Sequence, residues 1–247
     1  MFRRPNNTTT PNKEMAMTSN SLRLCIYLGA VWVTTMFVGL WPLAQMFPPL
    51  DPAMARADVA AYYRDHQTGI IAGGMFIMIS SAFFLPFASA IAAFMKRIEG
   101  TIAPLANTFS MLSAVLSITI FMSGVFFTAA AYRADFSDET VQVLSDLAFF
   151  MFLLPAIIVF VQLSTVGAAI LGDRRAEPIL PRWAGYLNLW TAVLTLPGAA
   201  VGLFKFGPFA WNGIIAFWLA MIVAGIWFNA MLWTMLMSVK RGALADA

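Results

Sequence analysis

The sequence predicts an all-α polytopic membrane protein with six transmembrane helices and a short surface helix in the first outer loop. Three observations predict it. Of 247 residues, 60% are hydrophobic and 11% charged, with mean hydropathy +0.77, whereas soluble domains run about 45–50% apolar and about 25% charged. The charged side chains gather in clusters and leave six uncharged windows: Leu24–Leu50, Gln67–Met95, Gly100–Tyr132, Leu147–Gly172, Trp183–Phe204 and Phe206–Val239. Each exceeds the roughly 20 residues an α-helix needs to cross about 30 Å of hydrocarbon. None alternates apolar and polar residues as a membrane β-strand would.

Taken in order, residues 1–22 are polar, and their composition predicts a disordered tail. The membrane domain follows over 23–241, with spans at about 24–46, 68–95, 102–131, 147–171, 183–204 and 211–238, and a short tail over 242–247 closes the chain. Between the first two spans, Asp51 is placed to cap a helix with Pro52 at its first position. From there to His66 few breakers intervene. Asp58, Tyr62 and Asp65 share one face of this surface helix, and Ala55, Val59, Tyr63 and His66 another. The next outer segment repeats the device: Ser137 precedes Asp138 and Glu139, so helix 4 starts near Asp138, with Asp146 at the outer interface. Pro86, Pro155 and Pro197 predict kinks in helices 2, 4 and 5, which can open an internal cavity. Gly69/Gly73 and Gly198/Gly202 form two G-x-x-x-G patterns suited to close helix contact.

Eleven Lys and Arg residues fall on one side of these spans and four, Arg56, Arg64, Arg133 and Lys205, on the other. The excess predicts cytoplasmic termini. Trp41 and Trp211 at outer helix ends, with Trp183 and Trp233 at inner ends, fit aromatic belts. The basic residues form no stripe with interleaved aromatics on a soluble face, so no nucleic-acid partner is expected. The expected partners are the lipid bilayer and a membrane-protein subunit or second copy.

No Asp, Glu, Lys, Arg or His falls inside a span. Proton relays and ion-coupled carriers usually require one there. A single histidine rules out a multi-histidine metal centre or bis-histidine haem within one chain, and no cofactor or catalytic residue is assigned. Ser80, Ser81, Ser113 and Ser117 have no nearby base and read as residues bonded to backbone carbonyls one turn back. The candidate ligand-binding residues are Asp58, Tyr62, Asp65, His66, Arg133 and Asp146 on the outer face, with the intramembrane amides Gln162, Asn188 and Asn229. Gln162 falls near mid-membrane. Asn188 and Asn229 share a depth on helices 5 and 6 and are expected to bond to each other.

Four stretches, F-P-P-L-D-P (Phe47–Pro52), A-I-A-A-F-M-K-R-I-E-G (Ala90–Gly100), P-R-W-A-G-Y-L-N-L-W (Pro181–Trp190) and F-K-F-G-P-F-A-W-N-G (Phe204–Gly213), resemble a group of uncharacterised bacterial multipass membrane proteins. The resemblance implies a bacterial inner membrane and transfers no activity, substrate or site residue. Two functional classes are expected. One is a non-enzymatic bundle that binds or passes an uncharged or apolar small molecule, or serves as an accessory subunit. The other is a membrane enzyme with an outer-face acid/base or metal site built from Asp58, Asp65, His66 and Asp146.

Overall fold

A computed structural model describes residues 11–242. They form helices, with no strand among the described residues. Six helical spans are long and apolar enough to cross a membrane, the architecture of a multipass integral membrane protein. The first is α1 (Pro11–Val38), extended by a π-helical turn, Gly39–Leu43. The surface helix α2 (Arg56–Asp65) leads into the second span, α3 (Gln67–Glu99), and α4 (Pro104–Tyr132) is the third. The fourth span is divided into α5 (Asp138–Leu153) and α6 (Ala156–Gly172). The fifth is α7 (Arg182–Thr195), continued as a 3₁₀ segment, Leu196–Leu203. The sixth opens with a π segment, Ile214–Leu219, and continues as α8 (Ala220–Lys240).

The spans pack in chain order, α1 on α3, α3 on α4, α4 on α5 and α6, α6 on α7 and α7 on α8. Contact between α1 and α8 closes the bundle. Small residues set close seams: Gly74 of α3 and Gly124 of α4 face each other so closely that a β-carbon on either would lie 2.6–2.7 Å from the other's carbonyl oxygen. Gly69 and Gly73 likewise pack against the backbone of the π turn that ends the first span, as their spacing predicts. In the second glycine pair, a β-carbon on Gly198 would lie 3.1 Å from Ala156 Cβ, whereas one on Gly202 would meet only the Phe150 ring, at 4.0 Å.

Several expectations are corrected. The helix α1 begins at Pro11, before the predicted span, and 1–10 and 243–247 lie outside the described residues. Asp51 does not cap α2. Its Oδ1 accepts the Ala53 N–H at 2.8 Å in a local turn, and the helix starts later, after Ala55. Ser137 does cap α5, accepting the Thr140 N–H at 3.2 Å. Pro155 breaks its span and Pro197 tips its span into 3₁₀ geometry, whereas α3 runs unbroken through Pro86. Ser117 reaches across to the Ser81 carbonyl at 2.8 Å instead of bonding within its own helix. Trp211 is no belt anchor: it is 5% exposed, stacks on Phe149 and donates to the Leu50 carbonyl at 2.6 Å. Trp41, Trp183 and Trp233 remain exposed.

Candidate functional site

Several outer-face residues hold α2 in place. Val59, Ala60 and Tyr63 form its buried face. The Tyr62 hydroxyl donates to the Gln45 carbonyl at 2.7 Å, and its ring stacks on His66 with centroids 4.3 Å apart. His66 Nδ1 lies 3.0 Å from the Tyr62 carbonyl, so that nitrogen carries a proton and donates. Arg64 ties α2 to the start of α5, with Nη2 on Asp138 Oδ1 at 2.7 Å and on the Phe136 carbonyl at 3.0 Å. Arg56 approaches Glu139 at 3.9 Å, both side chains more than half exposed, a contact worth little. Burial pushes the Tyr63 phenol well above its ordinary range.

The proposed acid and base groups do not gather. Asp58, Asp65 and Arg133 are exposed, and Arg133 lies over the Tyr132 ring at 5.7 Å. Asp65 and His66 border a shallow surface recess with Gln45 and Gln67, and Asp146 is not part of it. Asp146 is half-buried on α5, within electrostatic range of Lys205 and Tyr63. Among the described residues no three His, Cys, Asp or Glu side chains form a metal-binding group.

The intramembrane amides separate into three environments. Asn188 is fully buried, but its partner is Trp227, whose Nε1 donates to Asn188 Oδ1 at 2.9 Å, while its own amide donates to the Ala184 carbonyl at 2.7 Å. Asn229 lies exposed on the far side of α8 and donates back to the Gly225 carbonyl at 2.8 Å. The expected Asn188–Asn229 bond is therefore absent: Asn229 follows Trp227 by two residues, about 200° around the helix. Asn188→Ala leaves the Trp227 indole N–H buried without an acceptor. It should cost about 1–3 kcal/mol, read as a lower unfolding midpoint of the protein in detergent, while Asn229→Ala should change it little.

Gln162 borders a cavity. The cavity holds about 210 Å³ between the spans. It lies where three of them leave α-geometry: beside Leu153, Pro155 and Ala156 at the break in the fourth, Gly198 in the 3₁₀ segment of the fifth, and Ala216 in the π segment of the sixth. Trp32, Phe84 and Trp227 supply aromatic walls, and Ala220 and Ala224 leave room by their small size. No charged residue lines it.

Its polar groups are few. Gln162, 3% exposed, donates to Ser113 Oγ at 2.7 Å, and Ser113 donates onward to the Phe109 carbonyl at 2.7 Å. Thr195 bonds back to the Thr191 carbonyl. Two residues of the wall carry a buried polar atom without a protein partner, the Thr191 hydroxyl and the Trp32 indole nitrogen. The other buried threonines, Thr165, Thr195 and Thr234, all donate to backbone carbonyls one turn back, and the buried indoles of Trp211 and Trp227 both have acceptors. Buried polar groups are nearly always paired, and the Tyr63 hydroxyl, Arg97 Nε and Glu99 Oε1, away from the cavity, also lack a partner. Proline positions hinted at a cavity. Neither Thr191 nor Trp32 carried a sequence signal, because an unpaired hydroxyl looks like any other threonine until its neighbours are known.

No protein family, no curated protein and no solved structure matches the chain, so the likeness to bacterial multipass proteins finds no counterpart there.

Proposed function

We propose that this membrane protein is a non-enzymatic bundle that takes an uncharged, largely apolar small molecule into the cavity between its spans, alone or as an accessory subunit of a membrane assembly. The cavity carries the reading. An apolar cavity of about 150 Å³ stays dry and binds benzene, so about 210 Å³ accommodates one ring with a small substituent and not a whole lipid. An uncharged wall in hydrocarbon disfavours an ion, whose desolvation nothing there would offset. The lysine and arginine excess supports an orientation with both termini in the cytoplasm. The cavity would then occupy the middle and outer part of the bilayer.

Fluorobenzene followed by ¹⁹F NMR, with the protein in lipid nanodiscs, tests this. The expected result is a saturable bound signal that disappears in Ala220→Phe and Ala224→Phe, each filling the cavity from the sixth span. A signal that grows linearly and identically in all three proteins, as partition into lipid would, overturns the reading.

A further inference from the structure

Gln162 lines the cavity from α6 with part of its amide unused. Ser113 fixes which way that amide is turned. The one proton of Ser113 goes to the Phe109 carbonyl at 2.7 Å, so toward Gln162 its oxygen can only accept, and the group 2.7 Å away must be the amide nitrogen. Oε1 and the second N–H of Gln162 then have no partner among the described residues. The Thr191 hydroxyl and the Trp32 indole nitrogen are sealed from open space, whereas Gln162 Oε1 is not. Of the other polar side chains in the wall, Trp227 spends its N–H on Asn188 at 2.9 Å, and Thr195 spends its proton on the Thr191 and Ala192 carbonyls at 2.9 and 3.2 Å. Thr195 can therefore only accept a further bond.

We propose that the cavity selects an uncharged one-ring molecule that bears a hydroxyl, a phenol, whose O–H donates to Gln162 Oε1. A buried amide oxygen without a donor is costly. A hydroxyl proton removes part of that cost, and a hydrocarbon of the same shape does not. The hydroxyl oxygen is also an acceptor, the match for the second N–H of Gln162. An ether or ketone could take that N–H but would turn lone pairs toward Oε1 and leave it unpaired. The volume of about 210 Å³ admits one ring, and the uncharged wall disfavours a carboxylate or an ammonium group.

The inference rests on the reading of the cavity as a binding site, and two matched probe pairs separate the two. 4-Fluorophenol and 4-fluorotoluene differ by OH against CH₃, and a phenol, with a pKa of about 10, is uncharged at neutral pH. 4-Fluoroanisole and 1-ethyl-4-fluorobenzene differ by an ether oxygen against CH₂, an acceptor that brings no proton. Each is titrated by ¹⁹F NMR at neutral pH into nanodiscs holding the full chain, with its bilayer concentration taken from partition into protein-free nanodiscs. The phenol is expected to bind about three- to tenfold more tightly than the toluene, the worth of one neutral hydrogen bond, and the members of the second pair should bind alike. Gln162→Leu and Gln162→Met each remove the amide and keep an apolar side chain, so the first ratio should fall toward one. The comparison between the two pairs needs no variant.

Equal binding of the phenol and the toluene to the unsubstituted protein would overturn the hydroxyl preference and leave cavity binding intact. An equal gain for the oxygen compound in both pairs would overturn the role of Oε1 as acceptor. A phenol preference that survives Gln162→Leu and Gln162→Met would overturn the assignment to Gln162. Failure of all four probes and of fluorobenzene would remove the binding reading itself.

Discussion

Replacing Gly124 by alanine is expected to destabilise the bundle by about 3 kcal/mol, at the upper end of what inserting a methyl into a packed interior usually costs. The new β-carbon would lie 2.6 Å from the Gly74 carbonyl oxygen and 2.8 Å from Met78 Cγ. The methionine can swing away, but the carbonyl belongs to the backbone of α3, so the two helices must part. That seam is the most extensive helix contact in the bundle, and Ser117 and Ser123 each cross from α4 to a carbonyl of a neighbouring helix, Ser81 and Ala148. Gly225→Ala on α8 is the control, since nothing lies within 4 Å of its added methyl and alanine favours a helix. Thermal unfolding in detergent should show a large fall for the first variant and none for the second. Equal midpoints would mean that close approach at Gly74 and Gly124 does not hold α3 to α4.

The second large effect is expected at the opposite end of the bundle. The loop from Asp173 to Pro181 is fastened by the Asp173 carboxylate, whose side chain is 1% exposed. One oxygen accepts from the backbone N–H of Arg175 at 3.2 Å and from its guanidinium at 3.0 Å, and the other accepts from the Ile179 N–H at 2.9 Å. Arg175 in turn reaches the Arg97 carbonyl at 2.7 Å, and Ser238 of α8 bonds to the Ile179 carbonyl at 2.8 Å. The loop thereby joins the ends of α3, α6 and α8. Burial opposes the charged form of Asp173, but the Ile179 and Arg175 N–H groups and the Arg175 guanidinium outweigh it, and the carboxyl is held below its ordinary value of 3.8.

Asp173→Ala should therefore cost about 2–4 kcal/mol at neutral pH, mostly from the backbone N–H groups left without an acceptor. Because the folded-state pKa is lowered, the charge-dependent part of this stabilisation is complete above the ordinary carboxylate range and is lost as pH falls through the folded value. The gap in unfolding midpoint between the unsubstituted and variant proteins should thus narrow below about pH 4, where a carboxyl begins to bind protons. A gap that is constant from pH 7 to pH 3 would show that the charge of Asp173 does not fasten the loop.

Much of the scaffold was legible along the chain. The Ser137 cap, the buried Val59 and Tyr63 face of α2 and the contact of Gly69 and Gly73 with the first span all follow from local spacing. The site was legible only in part. Gln162 was singled out by depth and does border the cavity. Asn188 was singled out too, but its partner was misjudged, because equal depth says nothing about which way a side chain faces around its helix. Trp211, read as a belt residue from its position at a helix end, turned inward because α5 and the loop at Leu50 cover it.

By itself, the sequence determined that the chain has six apolar spans and that none of them contains a charge. Each is a property of one segment measured against hydrocarbon, summed residue by residue, and needs no knowledge of a neighbour. Only the tertiary structure decided that Asn188 meets Trp227, that Thr191 and Trp32 stay unpaired, and that a cavity opens where the fourth, fifth and sixth spans leave α-geometry. Those outcomes depend on rotational phase. Each residue turns a helix by about 100°, so a single π or 3₁₀ departure re-aims every side chain beyond it, and two helices must be placed together before any polar group is known to have found a partner.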